Sequence, residues 1–328
     1  MDINEIARRA GVSRTTVSRY LNDGYVSEEK RERIRRIINE TGYVPSQHAR
    51  QLRTGKTGLV GVIMPKINSQ SIGRMIAGIT SELSHAGMQA LLANTSTDGQ
   101  WDEVNFINLF AEQNRVEGII LIATVLTPEH TRAIEAIDIP LVVLGQFAED
   151  IPCVYHDDFN AVRDLCALVL KKSRRPTYLG VFDQDIAAGS ERHRGFRQAC
   201  ADLGIEADER ARLVVDFDAD SGYFGAERLL DTVPDLDTIV CATDDIAFGA
   251  MMCMLEYGRR VPEDVQVTGV GDSMLSRIAR PSLTSIHLHY QTSGIAAARL
   301  LLEYIRDPNK QVEHHRMGYA IYTRSSIR

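Results

Sequence analysis

The sequence predicts an all-α head followed by an α/β body made of two doubly wound parallel-sheet lobes. Three observations predict it. Nine apolar runs of strand length recur between Leu59 and Leu288, from "LVGVIM" to "LTSIHL", with helix-length amphipathic segments between them. Near-continuous apolar strands alternating with helices are the pattern of parallel sheets covered on both faces. The runs form two series that part near residues 150–160, one for each lobe. Before Leu59 no such run occurs, and apolar residues recur instead at helical spacing.

The head reads as three short helices. Asp2 followed by Glu5 is a capping-box pattern, and Ile3, Ile6, Ala7 and Ala10 form one apolar stripe. Gly11 ends that helix, and Ser13 caps a second whose inward positions are Val17 and Leu21. Ser27 caps a third, with Glu28 and Glu29 in its first turn. Ile34, Ile37 and Ile38 are its core positions, and Gly42 stops it. Pro45 and the polar, basic stretch "SQHARQLRTGKTG" follow. The expected divisions are a head over 1–44, a hinge or linker over 45–58 and a two-lobed body over 59–328. The body series then runs "LVGVIM", "QALLAN", "GIILIA" and "PLVVLG" for one lobe. For the other it runs "TYLGVF", "RLVVDF", "TIVCAT", "VQVTGV" and "LTSIHL".

Charge is unevenly distributed. Residues 1–58 carry 12 Lys and Arg against 7 Asp and Glu, a net of +5, so with −7 overall the remainder carries −12. A basic head on an acidic body points to a nucleic-acid contact confined to the head. No apolar run is long enough to span a membrane, and the N-terminus has no signal-peptide character. The five cysteines are far apart and form no CxxC pair, which suits reduced thiols and predicts a cytoplasmic protein.

The stretch "GVSRTTVSRYLN" has what a helix-turn-helix requires: a small turn residue, a capped second helix and buried residues four apart. Its outward side chains near the helix start are Arg14, Thr15 and Arg19, placed to read base edges in a major groove. Ser13, Thr16, Ser18 and Asn22 are short hydrogen-bonders suited to phosphate oxygens. The alternative is an ordinary solvated helix face.

"INEIARRAGVSRTTVSRYLN" with "VSEEKRERIRRIINETGYVPSQHARQL" resembles the DNA-binding head of the lactose/galactose repressor family, and the resemblance extends to Arg328. It implies a periplasmic-binding-protein-like body and a sequence-specific transcriptional repressor. By the same resemblance, Ala49 and Leu52 belong to a hinge helix whose Leu wedges into a minor groove, with Arg50 and Arg53 beside phosphates. In the body the resemblance places ligand contacts at Arg192, Phe217, Thr243, Asp244 and Asp272. Gly271 stands where the family often has an acid. Taken alone, Arg192 also fits an exposed helix ion pair, Phe217 a core residue and Asp244 a helix cap. Asn68, Ser69 and Ser71 after one strand and Gln146 after another are further polar candidates at strand ends, where ligands of open α/β sheets bind. "GYVSEEKRE", "VVLGQ" and "LTSIHLHYQTSG" look most like the family's sucrose-operon repressors, which implies a glucosyl or fructosyl ligand.

The expected partners are therefore double-stranded operator DNA, a small sugar or sugar-phosphate effector and a second copy of the chain, with no membrane. No leucine-heptad tail follows "YAIYTRSSIR", so a dimer is expected and not a tetramer. No cofactor, metal or enzyme activity is expected: no phosphate loop or nucleophile turn occurs. His287 and His289 lack a third ligand, and His314 and His315 read as an exposed tail. The rival readings are a solute-binding module of a sugar transporter, or a sugar-modifying enzyme on the same fold.

Overall fold

A computed structural model describes the chain apart from residues 1, 23, 44–55, 66, 68, 96–101, 113–114 and 207–208. The proposed hinge residues Ala49, Arg50, Leu52 and Arg53, and the candidate Asn68, lie outside the described residues. Two compact units result, Met1–Thr57 and Gly58–Arg328.

The first unit holds α1 (Ile3–Ala10), α2 (Arg14–Tyr20) and α3 (Glu28–Thr41). Ile6, Ala7, Ala10, Val17, Val26 and Ile34 form its core, with Leu21, Ile37 and Ile38 packed against them. Asp2 accepts a hydrogen bond from Glu5 N at 2.8 Å, and Gly11 adopts a left-handed φ of 62°. The capping box is only half made, because Glu5 does not reach back. Its carboxylate accepts from Arg8 and Arg9, two cations one turn on that outbid a neutral amide. Ser27 precedes α3 without a side-chain cap bond, a second departure from the expected pattern.

The second unit contains two six-stranded sheets. Lobe 1 has the order β11-β5-β4-β3-β1-β2 and lobe 2 the order β12-β10-β9-β8-β6-β7. The lobe 1 strands are β1 (Leu59–Met64), β2 (Gln89–Asn94), β3 (Ile119–Ile122), β4 (Leu141–Leu144), β5 (Cys153–His156) and β11 (His314–Met317). The lobe 2 strands are β6 (Pro176–Gly180), β7 (Arg212–Val214), β8 (Thr238–Cys241), β9 (Gln266–Val270), β10 (Thr284–Leu288) and β12 (Tyr319–Tyr322). All pairings are parallel except β10 with β12. Alternate residues of the lobe 1 strands enter opposite cores: Val62, Ile120 and Val142 on one face, Ile63, Leu121 and Val143 on the other. That is why these strands read as continuous apolar runs.

His314 and His315 are solvent-exposed, but they are not a tail. They pair in parallel with Cys153 and Val154 and form the edge of the lobe 1 sheet. An edge strand needs backbone partners more than apolar side chains, so "HHRM" gave no periodic signal.

The body helices of lobe 1 are α4 (Gln70–His85), α5 (Glu103–Glu112), α6 (Pro128–Glu135) and α12 (Tyr290–Arg306). Those of lobe 2 are α7 (Asp158–Val169), α8 (Arg192–Asp202), α9 (Ala219–Thr232), α10 (Asp244–Glu256) and the short α11 (Met274–Ile278). The chain passes between lobes three times: at His156–Asp158, at Leu288–Tyr290 and at Met317–Tyr319.

Helices α4 and α12 meet backbone to backbone. A Cβ at Gly78 would lie 2.0 Å from Gln291 O, and one at Gly294 would lie 2.1 Å from Met75 O. Gly294→Ala is expected to force the helices apart and cost about 1–3 kcal/mol, read as a lower urea midpoint at unchanged slope. Among the described residues no helix is long and apolar enough to cross a membrane.

Candidate nucleic-acid interface and ligand cleft

The outward face of α2 forms because Ser13 starts the helix and Val17 anchors it. Ser13 Oγ accepts from Thr16 N at 3.2 Å and sits 2.9 Å from Thr16 Oγ1, while Val17 is fully buried. This leaves Arg14, Thr15 and Arg19 exposed on one side, with Ser18 half-buried beside them. Among the described ion pairs none holds Arg14 or Arg19, whereas Arg8 and Arg9 are both spent on Glu5, whose carboxyl they pull down to about 2. The Asn22 side-chain amide donates to the Ser18 carbonyl and closes the end of α2, so a phosphate contact there requires that bond to yield. A concave groove beside the turn is lined by Arg8, Gly11, Ser13, Thr16 and Lys30. Two hydroxyls beside Lys30 suit a phosphate oxygen, and a contact from Arg8 requires its ion pair with Glu5 to yield. Arg8 and Lys30 were missed in the sequence, since each looks like any solvated helix charge until the fold brings them together.

In the body, a cavity of about 710 Å³ lies between the lobes, within the range of small-molecule sites. Of the predicted candidates it brings together Ser69, Ser71, Arg192, Phe217, Thr243 and Asp244. Ser69 and Ser71 hydroxyls bond each other at 2.8 Å at the start of α4. Thr243 caps α10 by accepting from Ile246 N, which frees Asp244 from that task. Asp244 instead accepts from Ser273 N at 2.7 Å and Ser285 Oγ at 2.5 Å, tying the ends of three lobe 2 strands together.

Arg192 is no exposed ion pair. It is 6% exposed, and its Nε donates to Asp158 Oδ1 at 2.7 Å and its Nη1 to the Ala242 carbonyl. A π-helical turn over Ile186–Glu191 leads directly into it, capped by Asp185, which accepts from Ala188 N at 2.9 Å. Wider turns of this kind re-aim the residue that follows. Burial pushes the Asp158 carboxyl up and Arg192 pulls it back, while Asp158 more than offsets the burial of Arg192, so the guanidinium stays charged.

Two candidates fall outside the cavity lining. Asp272 is fully buried, and Arg277, Arg324 and His287 all bond its carboxylate. It is an internal hub of lobe 2 whose carboxylate is held by these three partners and does not line the cavity, which corrects the expectation that it contacts ligand. Gln146 is 2% exposed and packs behind Gly145, which does line the cavity; its amide has no partner among the described residues.

His156, Asp158, Tyr290 and Arg74 are cavity residues not singled out in the sequence. The first three sit at two of the interlobe crossings. Tyr290 stacks edge-on against His156 at 5.1 Å, and Phe182 against Phe217 at 5.8 Å. Arg74, on lobe 1, donates to the Gly271 and Asp272 carbonyls of lobe 2, both at 3.0 Å, and so bridges the cleft.

Burial, with Arg192 and His289 nearby, pushes the His156 imidazole from 6.5 down to about 3. Between those values the unfolded chain binds the proton and the folded chain does not, so this group removes stability as pH falls, by about 1.4 kcal/mol per unit. Asp158, Asp185 and Asp244, whose carboxyls burial raises, act in the opposite sense. His156→Phe isolates the first effect. Its stability relative to the unsubstituted chain is expected to rise as pH falls from about 6 to about 4 in urea melts, by a slope of about that size.

Comparison with known proteins agrees with this architecture. Residues 2–46 match the family model for bacterial regulatory proteins of the lacI family, and residues 167–327 match a periplasmic binding protein-like domain. The chain is 30% identical over 308 residues to the sucrose operon repressor of Staphylococcus xylosus, covering 93% of this chain and 94% of that one. It is 32% identical over 310 residues to the transcriptional regulator CelR of Thermobifida fusca, covering 92% and 90%. A solved CelR–cellobiose complex superimposes with a TM-score of 0.76 at 28% identity over 99% of both chains. The lac repressor dimer bound to operator and an anti-inducer shares the fold, with a TM-score of 0.91 at 22% identity over 99% of this chain and 98% of that one. A helix-turn-helix head with exposed arginines on its second helix and a two-lobed body around an Arg192–Asp158 cleft thus coincide with relatives matched nearly end to end, and the chain belongs to the lacI family of bacterial DNA-binding transcriptional regulators.

Proposed function

We propose that this chain is a dimeric, sequence-specific repressor whose operator affinity is set by a small sugar or sugar phosphate held between the lobes. The observation that carries it is the pairing of Arg14 and Arg19, exposed on a capped helix and outside the described ion pairs, with an interlobe cavity lined by both polar and apolar residues in the same chain. Arg14, Thr15 and Arg19 read bases; Ser13, Thr16, Ser18 and Asn22, with Arg8 and Lys30, hold phosphates. Ala49, Leu52, Arg50 and Arg53 are proposed to engage the minor groove. Ser69, Ser71, Arg192, Phe217, Thr243 and Asp244 contact the effector, and relatives named for sucrose and cellobiose favour a glucosyl or fructosyl group. Ligand shifts operator binding only by its differential affinity for the DNA-competent state. The chain binds its sugar without turnover. A transporter role leaves the recognition helix without a task.

For the dimer, a second copy covers the apolar surface of the packed α9–α10 pair, where Phe224, Met252 and Leu255 are exposed. Tyr223–Glu256 and Tyr257–Glu227 hydrogen bonds, each 2.7 Å, hold the two helices in register. The test is operator selection from randomised duplexes, followed by anisotropy titration with and without a sugar panel. Affinity should fall steeply with salt, with about six to ten phosphates neutralised per dimer, and one sugar should change it at fixed salt. A flat salt response, or no sugar effect in either direction, overturns the reading.

A further inference from the structure

The cavity's charge inventory points to the chemical class of the effector. Among the described residues its lining holds six aspartates, at 158, 185, 216, 218, 244 and 245, against two arginines, at 74 and 192. Both arginines are already engaged within the protein. Arg192 is committed to Asp158 and the Ala242 carbonyl, and Arg74 donates through both terminal nitrogens to the opposite lobe. Carboxylates occupy two of the helix starts at the cavity, the other usual anion sites: α7 begins at Asp158 and α10 at Asp244 and Asp245, while α4 begins at Gln70 with the Ser69 and Ser71 hydroxyls bonded to each other. What remains suits an uncharged polyol. His156 is buried, and its Nε2 has no partner among the described residues. Phe182, Phe217 and Tyr290 offer apolar platforms for sugar C–H faces.

We infer that the effector is a sugar without an anionic group, and that the aspartate-rich lining excludes sugar phosphates. The inference rests on the proposed reading that this cavity binds a sugar. A phosphate carries up to two negative charges into a cleft whose field is already negative and whose walls screen little. The same field leaves a neutral ligand's affinity nearly untouched.

The experiment is calorimetric titration of the full chain with glucose, fructose and sucrose and with a monophosphate ester of each. At least one free sugar is expected to bind, and its ester to bind about a hundredfold more weakly or undetectably. In Asp216→Asn/Asp245→Asn, which removes two exposed negative charges, the ratio between free sugar and ester is expected to narrow about threefold or more. An ester that binds as well as or better than its free sugar overturns the inference and leaves sugar sensing intact. Failure of every sugar and every ester to bind overturns the sugar-binding reading itself, and the inference with it. An unchanged ratio in the double variant overturns the electrostatic cause.

Discussion

Asp158→Ala is expected to destabilise the body by about 3–5 kcal/mol, because it strands a buried cation. Arg192 is nearly inaccessible to water, and its guanidinium cannot shed its proton to escape. Once Asp158 is gone, the Ala242 carbonyl and the Tyr290 hydroxyl remain beside it, and neither carries a formal negative charge. The measurement is urea unfolding of the full chain, with Asp158→Asn as the milder control, since an amide oxygen still accepts from Arg192 Nε. Asp158→Ala/Arg192→Met should recover most of the loss, because replacing both members of a buried pair with apolar groups avoids the stranded charge. Sugar binding should vanish in both the single and the double variant. If Asp158→Ala unfolds at the unsubstituted midpoint, the pair is not the internal tie described.

The second large effect belongs to the head. Arg14→Ala/Arg19→Ala should cost about 2–6 kcal/mol of operator binding per half-site while leaving the melting temperature unchanged, since both side chains are exposed and outside the described ion pairs. Discrimination should be lost at the base pairs each arginine reads. Lys30→Ala is the contrasting case. It lies in the groove beside Ser13 and Thr16, so it should weaken binding to every sequence alike and reduce the salt slope by about one. Equal weakening on all sequences by Arg19→Ala would make Arg19 a phosphate contact.

What was legible in the sequence was local. Ser13, Val17 and the outward arginines of α2 lie within one short helix, so propensity, capping and spacing settle their geometry together. The interior strands were equally plain, because burial on both faces writes itself into consecutive residues, while the edge strands β2 and β7 are half-buried or exposed over most of their length yet still carried apolar runs. Features made by distant partners were not. The Asp158–Arg192 pair could not be read locally because its members are 34 residues apart. Asp272 reads as a ligand contact at a strand end until Arg277, His287 and Arg324 arrive from three other places in the chain. Glu5 shows the same limit at short range: its capping role was one of two local options, and the pair of arginines following it won. β5 and β11 escaped notice because one is four residues long and the other has almost no apolar character.

Neither half of the body corresponds to an unbroken piece of gene. Lobe 1 is stitched from residues 58–156 and 290–317, and lobe 2 from residues 158–288 and 319–328. A fragment ending before residue 157 would lack α12 and β11, leaving the glycine-faced side of α4 and an interior sheet edge bare to solvent. Each lobe therefore closes its core only when both of its chain segments are present.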